Sequence, residues 1–191
     1  MKSRLDAVRG YWSTLARIVP FHTAVPVMVF GVLLPSVAAM AAGEKAFVVL
    51  PGSAPRFSGP RGREADLTEI LAASEQTGGG LGLFRQIIAP KSGPPVHIHR
   101  TNDEFFYVVS GEFNFKLADR IVSVPARSIV FVPRGTAHTF KNVGTEPGVL
   151  LVGVTPGGLE KMFSERQGVD SATEHALMKK HSMEEVGPPL P

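Results

Sequence analysis

Three histidines and one glutamate are the residues of this sequence whose types and spacing are best suited to chemistry. His97 and His99 stand two residues apart, Glu104 follows five residues later, and His138 ends the short segment that begins at Pro133. Imidazole nitrogens and a carboxylate are sufficient ligands for a divalent transition metal. We therefore predict that His97, His99, Glu104 and His138 bind one such ion, with Fe, Mn, Ni, Cu and Zn all compatible with this ligand set.

The spacing of these residues agrees with the geometry of β-strands. Residues i and i+2 of a strand point to the same face, so that His97 and His99 project together. The polar residues 100–103 favour a turn, which would bring Glu104 back on the next strand with its carboxylate toward the same point. Residues 133–135 predict a second tight turn just before His138.

These residues also carry a family resemblance, because they resemble the two sequence motifs of the cupins. The first motif is matched by Gly93, His97, His99, Glu104 and Gly111, and the second by Pro133, Gly135, His138 and Asn142. Two positions depart from the family pattern. Gly93 lies two residues closer to its histidine than usual, and Arg127 stands where the second motif has glycine. Neither position is a metal ligand, so the departures concern local turn geometry.

The resemblance implies an all-β fold, a single double-stranded β-helix (jelly-roll) barrel. From about Thr68 to the C-terminus, the chain is also similar to the small single-domain cupins grouped with quercetin 2,3-dioxygenase. That similarity rests on residues 77–79, 155–160 and 186–190. It implies a dioxygenase that cleaves a small enol, flavonol-like or diketone substrate with dioxygen. Glu104 would then be both a metal ligand and the catalytic general base.

Two other functions remain open from the sequence. The predicted metal site could instead catalyse a redox-neutral isomerisation of a sugar or keto acid, with the metal acting as a Lewis acid. Alternatively, the domain could bind a small ligand without catalysis, since a fold does not determine a function. The alternative role of Glu104 is that of a plain ligand with no proton to move.

The hydrophobic pattern of the chain predicts many short strands followed by two short helices. The predicted strands are Leu67–Ala73, Leu81–Ile88, Val96–His99, Glu104–Ser110, Glu112–Leu117, Arg120–Val124, Ser128–Val132, Ala137–Asn142 and Val149–Thr155. The predicted helices are Gly157–Glu165 and Ser171–His181, the second with Asp170 or Ser171 as its N-cap. Residues 53–63 are rich in proline, glycine and arginine and are predicted to be a loop.

The alternation of side chains along the strands predicts which residues line a substrate pocket. Phe106 and Val108 lie on the same side of their strand as Glu104, and Phe140 follows His138 by two residues. We predict that these three side chains line the pocket beside the metal, although aromatic residues at such positions equally suit a plain core. His22, His175 and His181 have no comparable neighbours in the sequence and are predicted to be ordinary histidines.

Composition and charge exclude several functions. The chain has no cysteine, which excludes disulfides, zinc–thiolate sites and thiol nucleophiles. The formal net charge of +3 is carried entirely by the first 42 residues, where Lys2, Arg4, Arg9 and Arg17 outnumber Asp6. The remaining acidic and basic residues balance. A nucleic-acid partner therefore lacks electrostatic support.

Residues 1–42 are predicted to be a signal peptide, which would export the protein to the periplasm or the medium. A basic region precedes an uncharged, mostly apolar segment from Ile18 to Gly43, and Ala39-Met40-Ala41 matches a cleavage site. Two alternatives are an uncleaved membrane anchor and a spurious N-terminal extension with the true start at Met40, which would give a cytoplasmic protein.

Residues 43–191 have the size of one domain, with a helical tail from about residue 157. Short barrels leave strand edges exposed, and two-fold pairing through an N-terminal strand at Ala46–Leu50 would cover one of them. We therefore predict a homodimer.

Overall fold

The computed structural model of the protein describes residues 45–59 and 65–191. The predicted leader, residues 1–42, lies outside the described residues. Among the residues that the structure describes, no helix combines the length and apolar character needed to cross a membrane.

Two antiparallel sheets form the domain. The first has the strand order β1-β2-β3-β10-β5-β8, and the second has the order β11-β4-β9-β6-β7. The strands are β1 (Arg56–Ser58), β2 (Leu67–Ala72), β3 (Gly82–Ile88), β4 (Val96–His99), β5 (Asp103–Ser110), β6 (Glu112–Leu117), β7 (Arg120–Pro125), β8 (Ile129–Val132), β9 (His138–Asn142), β10 (Gly148–Thr155) and β11 (Met183–Gly187). The helices are α1 (Lys161–Glu165) and α2 (Ser171–Lys180). This mostly β, two-sheeted jelly roll confirms the predicted fold class.

The predicted strands all occur, with small shifts at their ends, whereas three other segments differ from the prediction. The predicted loop at residues 53–63 contains β1, whose residues Arg56–Ser58 pair with the edge of β2. The C-terminal segment forms β11 because its backbone pairs with the edge of β4. Residues 46–50, predicted to be a strand, have no regular secondary structure and are mostly exposed.

The core lies between the two sheets and is built from the inward-facing residues of each strand. Phe113 and Phe115 alternate with more exposed neighbours on β6, as their pattern predicts, and both are fully buried. On the opposite sheet Phe106 and Val152 lie side by side on β5 and β10. Complete burial of one such side chain stabilises the fold by about 1.5–3 kcal/mol.

The two C-terminal helices pack apolar side chains against the core. Helix α1 is shorter than predicted, beginning at Lys161, and packs Phe163 against Phe84 with ring centroids 4.9 Å apart. Helix α2 begins after Asp170, whose carboxylate accepts a hydrogen bond of 2.7 Å from the backbone N–H of Thr173. An acidic N-cap of this kind satisfies a backbone donor that the helix leaves unpaired.

Candidate metal centre and its cavity

Three neighbouring strands bring the four predicted metal ligands together. His97 and His99 lie on the same face of β4, and Glu104 is the second residue of β5. His138 begins β9, where it pairs directly with His97 across the two strands. The polar residues between His99 and Glu104 form the predicted reversal, so that the chain crosses from one sheet to the other.

The donor atoms of the four residues converge on one point. The ligand atoms of His97, His99, Glu104 and His138 all lie within 4.8 Å of one another, and all four residues are buried. Glu104 Oε2 lies 2.9 Å from His138 Nε2 and 3.1 Å from His99 Nε2. A buried group of three imidazoles and one carboxylate at this separation could hold one divalent metal ion.

Hydrogen bonds around the cluster orient two of the imidazole rings. The Nδ1 atom of His97 lies 2.9 Å from the carbonyl oxygen of Pro95, and that of His138 lies 2.9 Å from the carbonyl oxygen of Thr136. When Nδ1 donates to a carbonyl, the proton is held there and the lone pair of Nε2 is available to a metal. His97 is therefore oriented as an Nε2 ligand, whereas His138 would first have to release the proton that its Nε2 donates to Glu104.

His99 supplies the clearest test of whether these residues fit a metal. Both of its ring nitrogens are buried and, among the described residues, neither has a partner in hydrogen-bonding geometry; the 3.1 Å approach of Nε2 to Glu104 lacks that geometry. A buried polar atom without a partner costs on the order of 1–3 kcal/mol. A metal ion bound at Nε2 would remove that cost for this nitrogen, so the donor set fits the ion.

The pKa values of the cluster follow from burial and from the mutual proximity of its members. Burial, reinforced by His138 and His99, lowers the pKa of His97 to about 3, so that this ring is neutral. Burial alone would raise the pKa of Glu104, but the adjacent His99 and His138 more than offset it and hold the pKa well below its usual range. Burial likewise opposes charge on His138, yet its hydrogen bond to Glu104 raises its pKa above the ordinary value.

An ion pair links the two segments that carry the ligands. The backbone N–H of Arg134 donates to Asp103 Oδ1 at 2.8 Å, and its guanidinium Nη2 donates to Asp103 Oδ2 at 2.9 Å. These contacts lower the pKa of Asp103 to about 2. Asp103 precedes Glu104, and Arg134 lies in the turn before His138, so the pair fixes one ligand segment against the other.

The two departures from the family motifs have local structural explanations. Gly93 packs against β9 so closely that a Cβ there would collide with the carbonyl oxygen of Phe140, which accounts for glycine at this offset. Arg127 has φ of +69°, in the left-handed region that favours glycine. The backbone conformation of this turn is therefore preserved although arginine stands in place of the motif's glycine. The turn does not include any of the candidate ligands.

A cavity of about 200 Å³ adjoins the cluster. Phe106 and Phe140 line it together with His97, His99 and Glu104. Val108, which the alternation predicts in the pocket, is not among the lining residues; its side chain is fully buried in the core, two residues beyond Phe106 on β5. His138 belongs to the cluster but is not among the residues that line the cavity.

The C-terminal tail forms a part of the cavity wall that the sequence did not indicate. Its apolar contribution comes from Leu159, Met162, Phe163, Met178 and Met183, and its polar contribution from Arg166, Glu174, His175 and Glu185. The short, weakly periodic helices carry no local signal of their orientation. His175, predicted to be an ordinary histidine, is among the residues that line the cavity, whereas His181 pairs with Glu165 at 2.9 Å.

Comparisons with known proteins agree with this architecture. Residues 84–154 match the cupin domain family. KdgF from a Halomonas species superposes with a TM-score of 0.54 at 14% identity, over 61% of this chain and 99% of that one. A protein described as a predicted oxalate decarboxylase from Thermotoga maritima gives 0.52 at 23% identity, over 58% and 99%.

A third solved structure, the polyketide cyclase RemF from Streptomyces resistomycificus, gives a TM-score of 0.51 at 20% identity, over 58% of this chain and 80% of that one. Sequence identities this low indicate a shared fold but do not indicate a shared activity. No curated protein matches the sequence significantly.

Proposed function

Because this chain belongs to the cupin superfamily, we propose that its buried cluster binds one divalent transition metal and cleaves a small enol-type substrate with dioxygen. The observation that carries the proposal is the convergence of four buried donors, one of them without a hydrogen-bond partner, at the wall of a largely apolar cavity. A redox-active metal, when bound there, would supply dioxygen activation and stabilise the deprotonated substrate oxygen.

The residues around the cluster suit this chemistry in distinct ways. Three imidazoles and one carboxylate leave one or two positions of a five- or six-coordinate ion open to substrate or dioxygen. Glu104 is the one carboxylate of the cluster, and its position at the cavity wall would let it accept the proton of an enol. Phe106 and Phe140 would exclude water from the apolar body of the substrate.

A redox-neutral sugar-phosphate isomerase receives less support. Such a substrate would need cationic side chains in the cavity, and the three arginines nearest the motifs are engaged in ion pairs elsewhere. Arg85 pairs with Glu69, Arg100 with Glu184, and Arg134 with Asp103. Among the described residues, Arg166 is the only lysine or arginine that lines the cavity.

Dioxygen consumption tests the proposal. Protein reconstituted separately with iron, manganese, nickel or copper would be mixed with a 1,3-diketone in an oxygen electrode, and products would be identified by mass spectrometry. Cleavage by a dioxygenase breaks one carbon–carbon bond and places both oxygen atoms in the products. We expect one equivalent of dioxygen consumed per substrate. Metal-loaded protein that binds substrate without consuming dioxygen would instead indicate an isomerase or a binding protein.

A further inference from the structure

The size of the cavity limits the substrate. An apolar protein cavity of about 150 Å³ is filled by one benzene molecule. The cavity beside the cluster, at about 200 Å³, is therefore large enough for one substituted ring or an equally short acyclic chain. The three-ring body of a flavonol exceeds this volume and would extend out of the cavity into solvent. This favours the smallest of the enol-type substrates considered above.

One neutral polar side chain stands out in the wall. Gln86 faces inward from β3, two residues beyond Phe84, and both side chains line the cavity. Gln86 is only partly exposed, and its side chain makes no hydrogen bond to any described residue. Its amide is not among the buried polar atoms that lack a partner, so it keeps access to solvent and is free to hydrogen-bond a polar group of a molecule that enters the cavity.

Sheet register places Gln86 at the end of the cavity remote from the metal cluster. Glu104 and Gly82 both pair with Val154 of β10, so they lie in one row across the sheet. Gln86 lies four residues beyond Gly82, which corresponds to about 13 Å along the strand. A molecule bound to the cluster therefore reaches Gln86 with its opposite end.

The charged side chains of the cavity wall do not favour an anionic substrate. Arg166 lies 4.6 Å from the ring centroid of Phe163, but the carboxylates of Glu174 and Glu185 also line the cavity. One cation beside two carboxylates gives no net attraction for an anionic substrate. The neutral amide of Gln86 instead matches a hydroxyl or carbonyl group.

We infer that Gln86 is a specificity-determining residue, which recognises a neutral hydroxyl or carbonyl group on a one-ring substrate at the end remote from its metal-binding oxygens. The inference rests on the proposed function, because it assumes that the substrate's other end binds at the cluster. Beyond the proposed function, the inference specifies the size of the substrate and the chemical nature of the substrate's second polar group.

Binding to zinc-loaded protein tests the inference without turnover, because zinc does not activate dioxygen. The probes are 1-phenylbutane-1,3-dione and its para-hydroxyphenyl analogue, which differ by one hydroxyl group, and affinities are measured by titration calorimetry. We expect the wild type to prefer the hydroxylated probe. In Gln86→Leu this preference should fall by about three- to tenfold, the effect of one neutral hydrogen bond.

Gln76→Leu is the matched control, because Gln76 caps an exposed turn away from the cavity; it should keep the wild-type preference. Thermal melting and zinc content establish that each variant is folded and loaded. A wild type without preference for the hydroxylated probe, or a Gln86→Leu variant that retains it, would overturn the inference while leaving the metal site intact. Failure of wild-type protein to bind zinc would remove both the proposed function and the inference.

Discussion

Glu104 is the residue on which the proposed chemistry depends most. Replacement by Gln preserves its size and one ligand oxygen but removes the negative charge and most of the basicity. If Glu104 is the general base, Glu104→Gln should retain substantial metal and lose turnover per bound metal by about a hundredfold or more. The measurement is dioxygen consumption divided by metal content.

The competing role for Glu104 predicts a different pattern. A plain ligand would give a Gln variant whose activity falls only in step with metal occupancy and recovers in excess metal. Unchanged turnover per bound metal in Glu104→Gln would therefore contradict the catalytic role while leaving the metal site in place.

The clustering of the four candidate metal ligands was predictable at the residue level, whereas part of the cavity was not. His97 and His99 have the two-residue spacing of one strand face, and the polar turn before Glu104 indicates a reversal, so local sequence carries the geometry. Arg166 and His175 reach the cavity only because the helical tail folds back over the sheets. No local pattern encodes that packing, and for the same reason the alternation along β5 predicts Val108 in the pocket although the structure has it in the core.

At the level of elements, the turn before β8 contains a strained residue. Arg127 has φ of +69° and donates its backbone N–H to the carbonyl oxygen of Val108 at 2.7 Å. A left-handed conformation costs a side-chain-bearing residue about 1–2 kcal/mol, and part of the gain from glycine is lost to its greater entropy when unfolded. Arg127→Gly should therefore raise the free energy of unfolding by about 0.5–1 kcal/mol.

Chemical denaturation measures this change, with Arg120→Gly as the matched control. Arg120 is also exposed, but it lies within β7 without a positive φ, so glycine there should destabilise the protein. A loss of stability in Arg127→Gly equal to that in the control would show that the turn stores no strain. Metal content should be unchanged in both variants because neither residue is near the cluster.

Most strands were predictable from the alternation of apolar and polar residues. The segments that were predicted wrongly are β1, β11 and residues 46–50, and these errors have a common cause. Strands β1 and β11 lie at sheet edges, where pairing with a neighbour rather than a pattern of apolar residues defines the element. Residues 46–50 are apolar enough to suggest a strand, but in one chain they find no edge to pair with. Edge elements are specified by tertiary contacts, which a single sequence segment does not contain.

At the scale of the whole molecule, exposed apolar side chains support the predicted homodimer. Val48 and Leu50 are 82% and 65% exposed, and Ile129 and Phe131 on the edge strand β8 are 71% and 59% exposed. Pairing of two copies would cover surface of this kind. Light scattering at micromolar concentration should give twice the mass of the chain; a monomer mass would contradict the prediction.

Export directed by residues 1–42 likewise stays a prediction.

The metal content of protein purified without added metal tests the central claim most directly. We predict about one divalent transition metal per wild-type chain and almost none in the folded double variant His97→Ala/His138→Ala. The control His175→Ala/His181→Ala removes two histidines outside the cluster and should keep the wild-type content. A folded His97→Ala/His138→Ala protein with the metal content of the wild type would contradict the assignment of the site.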